Sequence, residues 1–380
     1  MKRRTLFVAL LVLALLITIV PAVARAAEVT RSPKVVILAP ITDKFATLGL
    51  SVQRGAQLAF EEVNAKGGIS KYKIEFTVVD AGGSNPSAQN AAQKAISLEP
   101  DVILGMPLST QSYAIESYVT KAGIPTIVSG TNAKLAAQSE WMFDMIPTDA
   151  VSSTAQARFA VEKLGFKKLA LMHGNDEYGT GSAKIARETA EKIGAKVVVD
   201  ESHTLGDKDV TAQLRKIKNS DAEVLLVASD QGGIAIILKQ AYELGLKMPR
   251  ISHPIIPPTM KLLAKGAVED IYIVVKAVPG QSKDPKVQDW VKRFEKRWGK
   301  PADEYAAIGY DGGLMVIDAI SRGGVSRAGI RDALLATKNF QGIAGRHTSD
   351  KDGNLSHFGA IVRVKDKEQQ IIELIDATPQ

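Results

Sequence analysis

The stretch Val102-Ile103-Leu104-Gly105-Met106-Pro107-Leu108-Ser109-Thr110, followed by a helical pattern from about Gln111 to Ala122 and then by Thr126-Ile127-Val128, decides the fold. Three consecutive apolar residues before a Gly/Pro loop read as a strand buried on both faces, and a helix then leads to a second such strand. Working backward, Lys34 to Ala39 is a short β-rich run. Val52, Ala56, Ala59 and Val63 then form one helical stripe that Gly67-Gly68 ends. Ile74, Phe76 and Val78 alternate up to Asp80, and Ser87 to Leu98 has helical composition and period. After Pro147 the pattern begins again. The expected order is strand Lys168–Met172, helix Ser182–Ile193, strand Lys196–Val199, helix Val210–Lys218, strand Val224–Ala228, helix Gly233–Leu244, a strand around Ile251 and an apolar run Ile271–Val275. Helices are expected near Lys286–Arg297, Ala302–Ser321 and Ser326–Ala336. Repeated strand–helix units predict an α/β protein whose parallel sheets are covered on both faces, in two similarly built lobes.

A chain of 380 residues exceeds what one core usually supports, which agrees with two lobes. Lys2-Arg3-Arg4, an apolar run from Leu6 to Val20 and Ala24-Arg25-Ala26 read as a secretory signal peptide over residues 1–26, cleaved before Ala27. The leader holds four of the 48 Lys/Arg and none of the 41 Asp/Glu, so its removal takes the formal charge from +7 to +3. Little then speaks for nucleic-acid binding. The basic cluster Lys292-Arg293-Phe294-Glu295-Lys296-Arg297 reads as the solvated face of an amphipathic helix. With no cysteine, an exported chain has no disulfide framework, thiolate chemistry or lipid-modified N-terminal cysteine, and its stability must come from burial.

Ligands of open α/β sheets bind beyond the carboxyl ends of the strands, so the candidate chemistry lies in the loops there. Ser109 and Thr110 either cap the following helix or offer hydroxyls and helix-start N–H groups to an anion. Gly130 lets backbone approach a ligand and Thr131 adds a donor. Tyr178 stands between Asn175-Asp176-Glu177 and Gly179-Thr180-Gly181, either as an aromatic ligand face or within a turn. Asp230, followed by Gln231, either accepts from a ligand ammonium or caps the next helix. Catalytic signatures are missing: no phosphate-binding glycine motif follows a strand, His173, His203, His253, His347 and His357 lack zinc spacing, and no Gly-x-Ser-x-Gly elbow occurs. No catalytic residue, metal site or cofactor is expected.

Taken together with Ile37-Leu38-Ala39-Pro40-Ile41-Thr42, Gly55-Ala56-Gln57-Leu58-Ala59, Val63-Asn64-Ala65-Lys66-Gly67-Gly68-Ile69, Gln240 to Lys247 and Ala306-Ala307-Ile308-Gly309-Tyr310-Asp311, these loops resemble the type I periplasmic binding proteins of the branched-chain amino acid (leucine/isoleucine/valine-binding) transport family. The resemblance covers nearly the whole mature chain. It implies two doubly wound lobes in a Venus-flytrap arrangement with a three-segment hinge, crossing near Pro147, Ala277 and Asp350. The lobes would be residues 27–147 plus 277–350 and residues 148–276 plus 351–380. It further implies a periplasmic, non-catalytic monomer that delivers a small carboxylate-bearing ligand to the membrane permease of an ABC transporter. The matching ligand residues are Ser109, Thr110, Gly130 and Thr131 in the first lobe and Tyr178 in the second. The acidic residue that amino acid binders carry after a second-lobe strand is replaced here by His253-Pro254-Ile255. Either Asp230 takes over the ammonium or the ligand is an aliphatic or aromatic carboxylate without one; a ligand sensor of the same fold is the other reading.

Overall fold

The computed structural model describes residues 28–132, 134–255, 257–356 and 359–375; the leader lies outside them. A first sheet, order β2-β1-β3-β4-β5, is wholly parallel and contains β1 (Lys34–Ala39), β2 (Glu75–Asp80), β3 (Val102–Gly105), β4 (Thr126–Val128) and β5 (Met142–Asp144). A second, order β15-β14-β10-β9-β8-β6-β7, contains β6 (Lys168–Gly174), β7 (Lys196–His203), β8 (Val224–Ala228), β9 (Arg250–Ser252) and β10 (Tyr272–Val275), all parallel. The antiparallel hairpin β14 (Gly359–Lys365) and β15 (Glu368–Ile375) closes one edge. A small antiparallel sheet joins β11 (Phe340–Gln341), β12 (Arg346–Ser349) and β13 (Leu355–Ser356).

Alternation along single strands explains the layering. In β1, Val35 and Ile37 enter a core with α1 (Ala46–Ala65), α11 (Glu304–Gly323) and α12 (Arg327–Leu335), whereas Val36 and Leu38 enter the opposite core with α2 (Asn85–Ser97) and α3 (Ser109–Ala122). In β8, Leu225 and Val227 face α6 (Thr211–Lys218) and α7 (Gln231–Glu243), while Val224 and Leu226 face α4 (Asp149–Arg158) and α5 (Glu177–Lys192). Each strand is therefore apolar on both sides, as buried parallel strands must be. The remaining helices are α8 (Pro257–Leu262), α9 (Lys265–Val268) and α10 (Pro285–Trp298). Helices α1 and α11 touch backbone to backbone: a Cβ on Gly55 would stand 2.0 Å from the Ala306 carbonyl oxygen, and one on Gly309 2.2 Å from that of Val52. Only glycine permits that approach.

The chain passes between the sheets after β5, after β10 and between β13 and β14. Asp350, near which the third crossing was expected, instead lies in the turn between β12 and β13, and Leu355 beyond it still packs in the first-sheet core. Several helices also start earlier than expected. Asp176 accepts from the Gly179 N–H at 3.0 Å and starts α5 at Glu177, so Tyr178 sits in a helical first turn.

Candidate functional site

The loops that leave β3 and β4 carry Ser109, Thr110, Gly130 and Thr131, and those that leave β6, β8 and β9 carry Tyr178, Asp230, Gln231 and His253. Gly105, with φ +148°, ends β3 where a Cβ would lie 2.0 Å from the Leu38 carbonyl oxygen, and Met106 follows at φ 50°. This turn brings Ser109 to the start of α3. The residue in the cap position is Leu108, without a side-chain bond. The Ser109 hydroxyl oxygen instead accepts the backbone N–H groups of Thr131 and Asn132, both at 3.1 Å. With two acceptor bonds made, its own hydrogen remains to be donated. Gly130 is required beside it, because a Cβ there would press within 3.0 Å of the Ser109 backbone. Thr110, by contrast, is exposed.

Thr131 is buried; its carbonyl oxygen accepts the Asp149 N–H at 2.5 Å and its hydroxyl bonds the Asp149 carboxyl. Asp149 opens α4, where the chain enters the second lobe, so the loop after β4 is coupled to the first crossing. In that lobe the half-buried Tyr178 hydroxyl lies 2.6 Å from His253 Nδ1. His253 is 1% exposed, and its Nε2 lies 3.4 Å from Ser153 Oγ. Burial, helped by the Lys276 charge, pushes its basicity down to about 3, so the ring is neutral. Burial and the nearby Asp149 raise the Tyr178 hydroxyl well above the ordinary tyrosine range. Asp230 caps α7, its Oδ1 accepting from the Gly233 N–H at 2.7 Å, and Gln231 Nε2 donates to the Pro254 carbonyl at 2.8 Å.

The sequence reading missed a cluster of buried charge at the second crossing. Lys276, directly after β10, is 3% exposed; its N–H donates to Glu304 Oε2 at 3.1 Å, and its Nζ lies 5.7 Å from the centroid of the Tyr305 ring. Burial lowers the Lys276 ammonium from its ordinary range, while Glu304, Asp149 and Asp144 hold it up. Burial raises Asp149 and Glu304 each to about 7 against the pull of Lys276, and holds Asp144 well above its ordinary range. The available signal was a lysine abutting an apolar strand; Asp149 and Glu304 read only as acids at helix starts.

These groups give stability a distinctive pH dependence. Asp149 and Glu304 ionise near their ordinary values of 3.8 and 4.5 when unfolded but near 7 when folded. Between those values the folded protein keeps protons that the unfolded chain releases, so each carboxyl lowers stability by about 1.4 kcal/mol per pH unit as pH rises. His253 acts oppositely between about 3 and 6.5, where the unfolded chain takes up a proton that the buried ring refuses. The expected result is that the wild type loses stability relative to Glu304→Gln between pH 5 and pH 7, measured by urea unfolding. Parallel pH profiles for the two proteins would contradict this assignment.

Two doubly wound parallel-sheet lobes joined by three crossings define a type I Venus-flytrap binding protein. The model of the periplasmic binding protein family matches residues 32–369, and the chain belongs to that family. It is 23% identical over 329 residues to the leucine-, isoleucine-, valine-, threonine- and alanine-binding protein of Pseudomonas aeruginosa, covering 86% of this chain and 87% of that protein. It is 27% identical over 338 residues to Leu/Ile/Val-binding protein homolog 7 of Brucella abortus, covering 82% and 83%. Among solved structures, a leucine-binding protein from Thermotoga maritima superposes with TM-score 0.84 at 24% identity, covering 90% of this chain and 99% of that one. A solute-binding protein from R. palustris in complex with benzoate gives 0.80 at 21% identity, covering 91% and 96%. No helix among the described residues is long and apolar enough to cross a membrane.

Proposed function

We propose that this protein is the extracytoplasmic solute-binding component of an ABC transporter, exported through the leader at residues 1–26, and that it closes its two lobes on a small carboxylate-bearing ligand without catalysis. The carrying observation is a Ser109 hydroxyl that accepts from the Thr131 and Asn132 N–H groups and keeps its own hydrogen for a ligand, together with the Tyr178–His253 hydrogen bond on the other lobe. A buried carboxylate needs its oxygens fully hydrogen-bonded, and the Ser109 hydroxyl hydrogen beside the start of α3, which no side chain caps, supplies donors for it. Contact with both lobes at once favours closure, because a ligand shifts a conformational equilibrium only by its differential affinity for the two states. The closed form then presents the surface that a permease reads. Relatives named for branched-chain amino acids, and similar folds solved with isoleucine or benzoate, support a small carboxylate ligand. The test is calorimetric titration of the ligand-stripped mature protein with small acids of both kinds. Heat of binding from at least one is expected, and silence from all would reject the reading.

A further inference from the structure

Building on the proposed carboxylate site, the charges around the cleft narrow the ligand further. An amino acid brings an ammonium as well as a carboxylate, and the ammonium needs a carboxylate partner that no other cation already serves. In the second lobe, Asp176 and Asp230 each spend an oxygen on a helix cap, and the position after β9 holds the imidazole of His253. Three buried acids, Asp149, Glu304 and Asp144, feel the charge of Lys276. Lys276 directly follows β10, is almost wholly enclosed, has its Nζ 5.7 Å from the centroid of the Tyr305 ring and acts electrostatically on His253 and Asp149. Tyr305 in turn packs with Val52 and Leu48 in a small apolar cluster on the first lobe.

We infer that the Lys276 ammonium takes the cationic place among Asp149, Glu304 and Tyr305 that an amino acid's ammonium would need, so that the ligand is an apolar acid without an amino group. Lys276 then acts on specificity in two ways. It balances the buried carboxyls that would otherwise attract a ligand cation, and it repels any second ammonium brought into the same partly desolvated volume. Tyr305, Val52 and Leu48 provide an apolar wall for the ligand body.

The experiment uses pairs that differ only in the amino group: leucine against 4-methylpentanoate, valine against 3-methylbutanoate, and phenylalanine against 3-phenylpropanoate. Each is titrated calorimetrically into ligand-stripped wild type and Lys276→Met. The expected result is a wild-type preference of about 100-fold for the deaminated member of at least one pair. In Lys276→Met that ratio should narrow at least about tenfold, with the amino acid gaining. A wild type that binds the amino acid as tightly as its deaminated partner overturns the inference but leaves the carboxylate reading standing, and so does a ratio unchanged in a folded Lys276→Met protein. Silence from every pair overturns both. The wild-type ratio alone decides if the variant does not fold.

Discussion

Replacing Ser109 by alanine is expected to weaken binding of the carboxylate ligand about 100-fold, close to 2.7 kcal/mol. The hydroxyl oxygen accepts the Thr131 and Asn132 N–H groups, both at 3.1 Å, and so fixes the loop that carries Gly130 and Thr131. Alanine removes that acceptor, and a buried donor left unsatisfied costs about 1–3 kcal/mol. It also removes the hydroxyl hydrogen that remains for the ligand, where a hydrogen bond to a charged group contributes about 1.5–3 kcal/mol. Some of the loss appears as lower stability of the free protein, so calorimetric affinity and a thermal midpoint should be measured together. Undiminished affinity in a folded Ser109→Ala protein would remove Ser109 from the site.

Asp311→Ala is expected to destabilise the fold by about 3–5 kcal/mol, because it leaves two buried backbone N–H groups and the His347 ring without their acceptor, at about 1–3 kcal/mol for each unsatisfied group. Asp311 lies at 0% exposure in α11 and accepts from the N–H groups of Ile343 at 2.6 Å and Ala344 at 2.8 Å. His347 Nε2 meets it at 2.9 Å, and His347 Nδ1 lies 3.2 Å from the Leu355 carbonyl oxygen. One carboxylate thus ties α11 to the segment before β12 and, through His347, to β13. Gly342 shows how closely the backbone wraps it, since a Cβ there would stand 2.1 Å from Oδ2. Urea unfolding should place Asp311→Asn between wild type and Asp311→Ala, because the amide keeps the volume and one acceptor. A loss below about 1 kcal/mol in Asp311→Ala would contradict the assigned role.

What could be read in the sequence follows from what burial does to composition. The central strands and their helices were legible because parallel strands covered on both faces become short apolar runs between helical patterns. Strand β5 escaped because Met142-Phe143-Asp144 is only three residues long and ends on a buried acid. Helix α4 escaped because its buried side includes Ser152, Ser153 and Gln156; the Gln156 amide donates to the Ile251 carbonyl at 2.6 Å, a partner supplied by the fold. The hairpin β14–β15 lies at a sheet edge, where five of the eight β15 residues are exposed and the apolar pattern breaks.

At the site, the loops were legible by their position after strands, but the roles within them were not. Asp230 is a helix cap by geometry, whereas Ser109 is not, and the sequence offered both readings for each. Lys276, Asp149 and Glu304 matter because three separate segments bury them together, and no local pattern records that convergence.

The central claim, a carboxylate held between the lobes by the Ser109 loop, is tested most directly by calorimetry on the stripped protein with an acid that binds and with its uncharged primary amide of the same shape. The acid is expected to bind and the amide to lose at least about 100-fold. Equal affinity for acid and amide would show that the cleft does not recognise a carboxylate, and would contradict the account at its base.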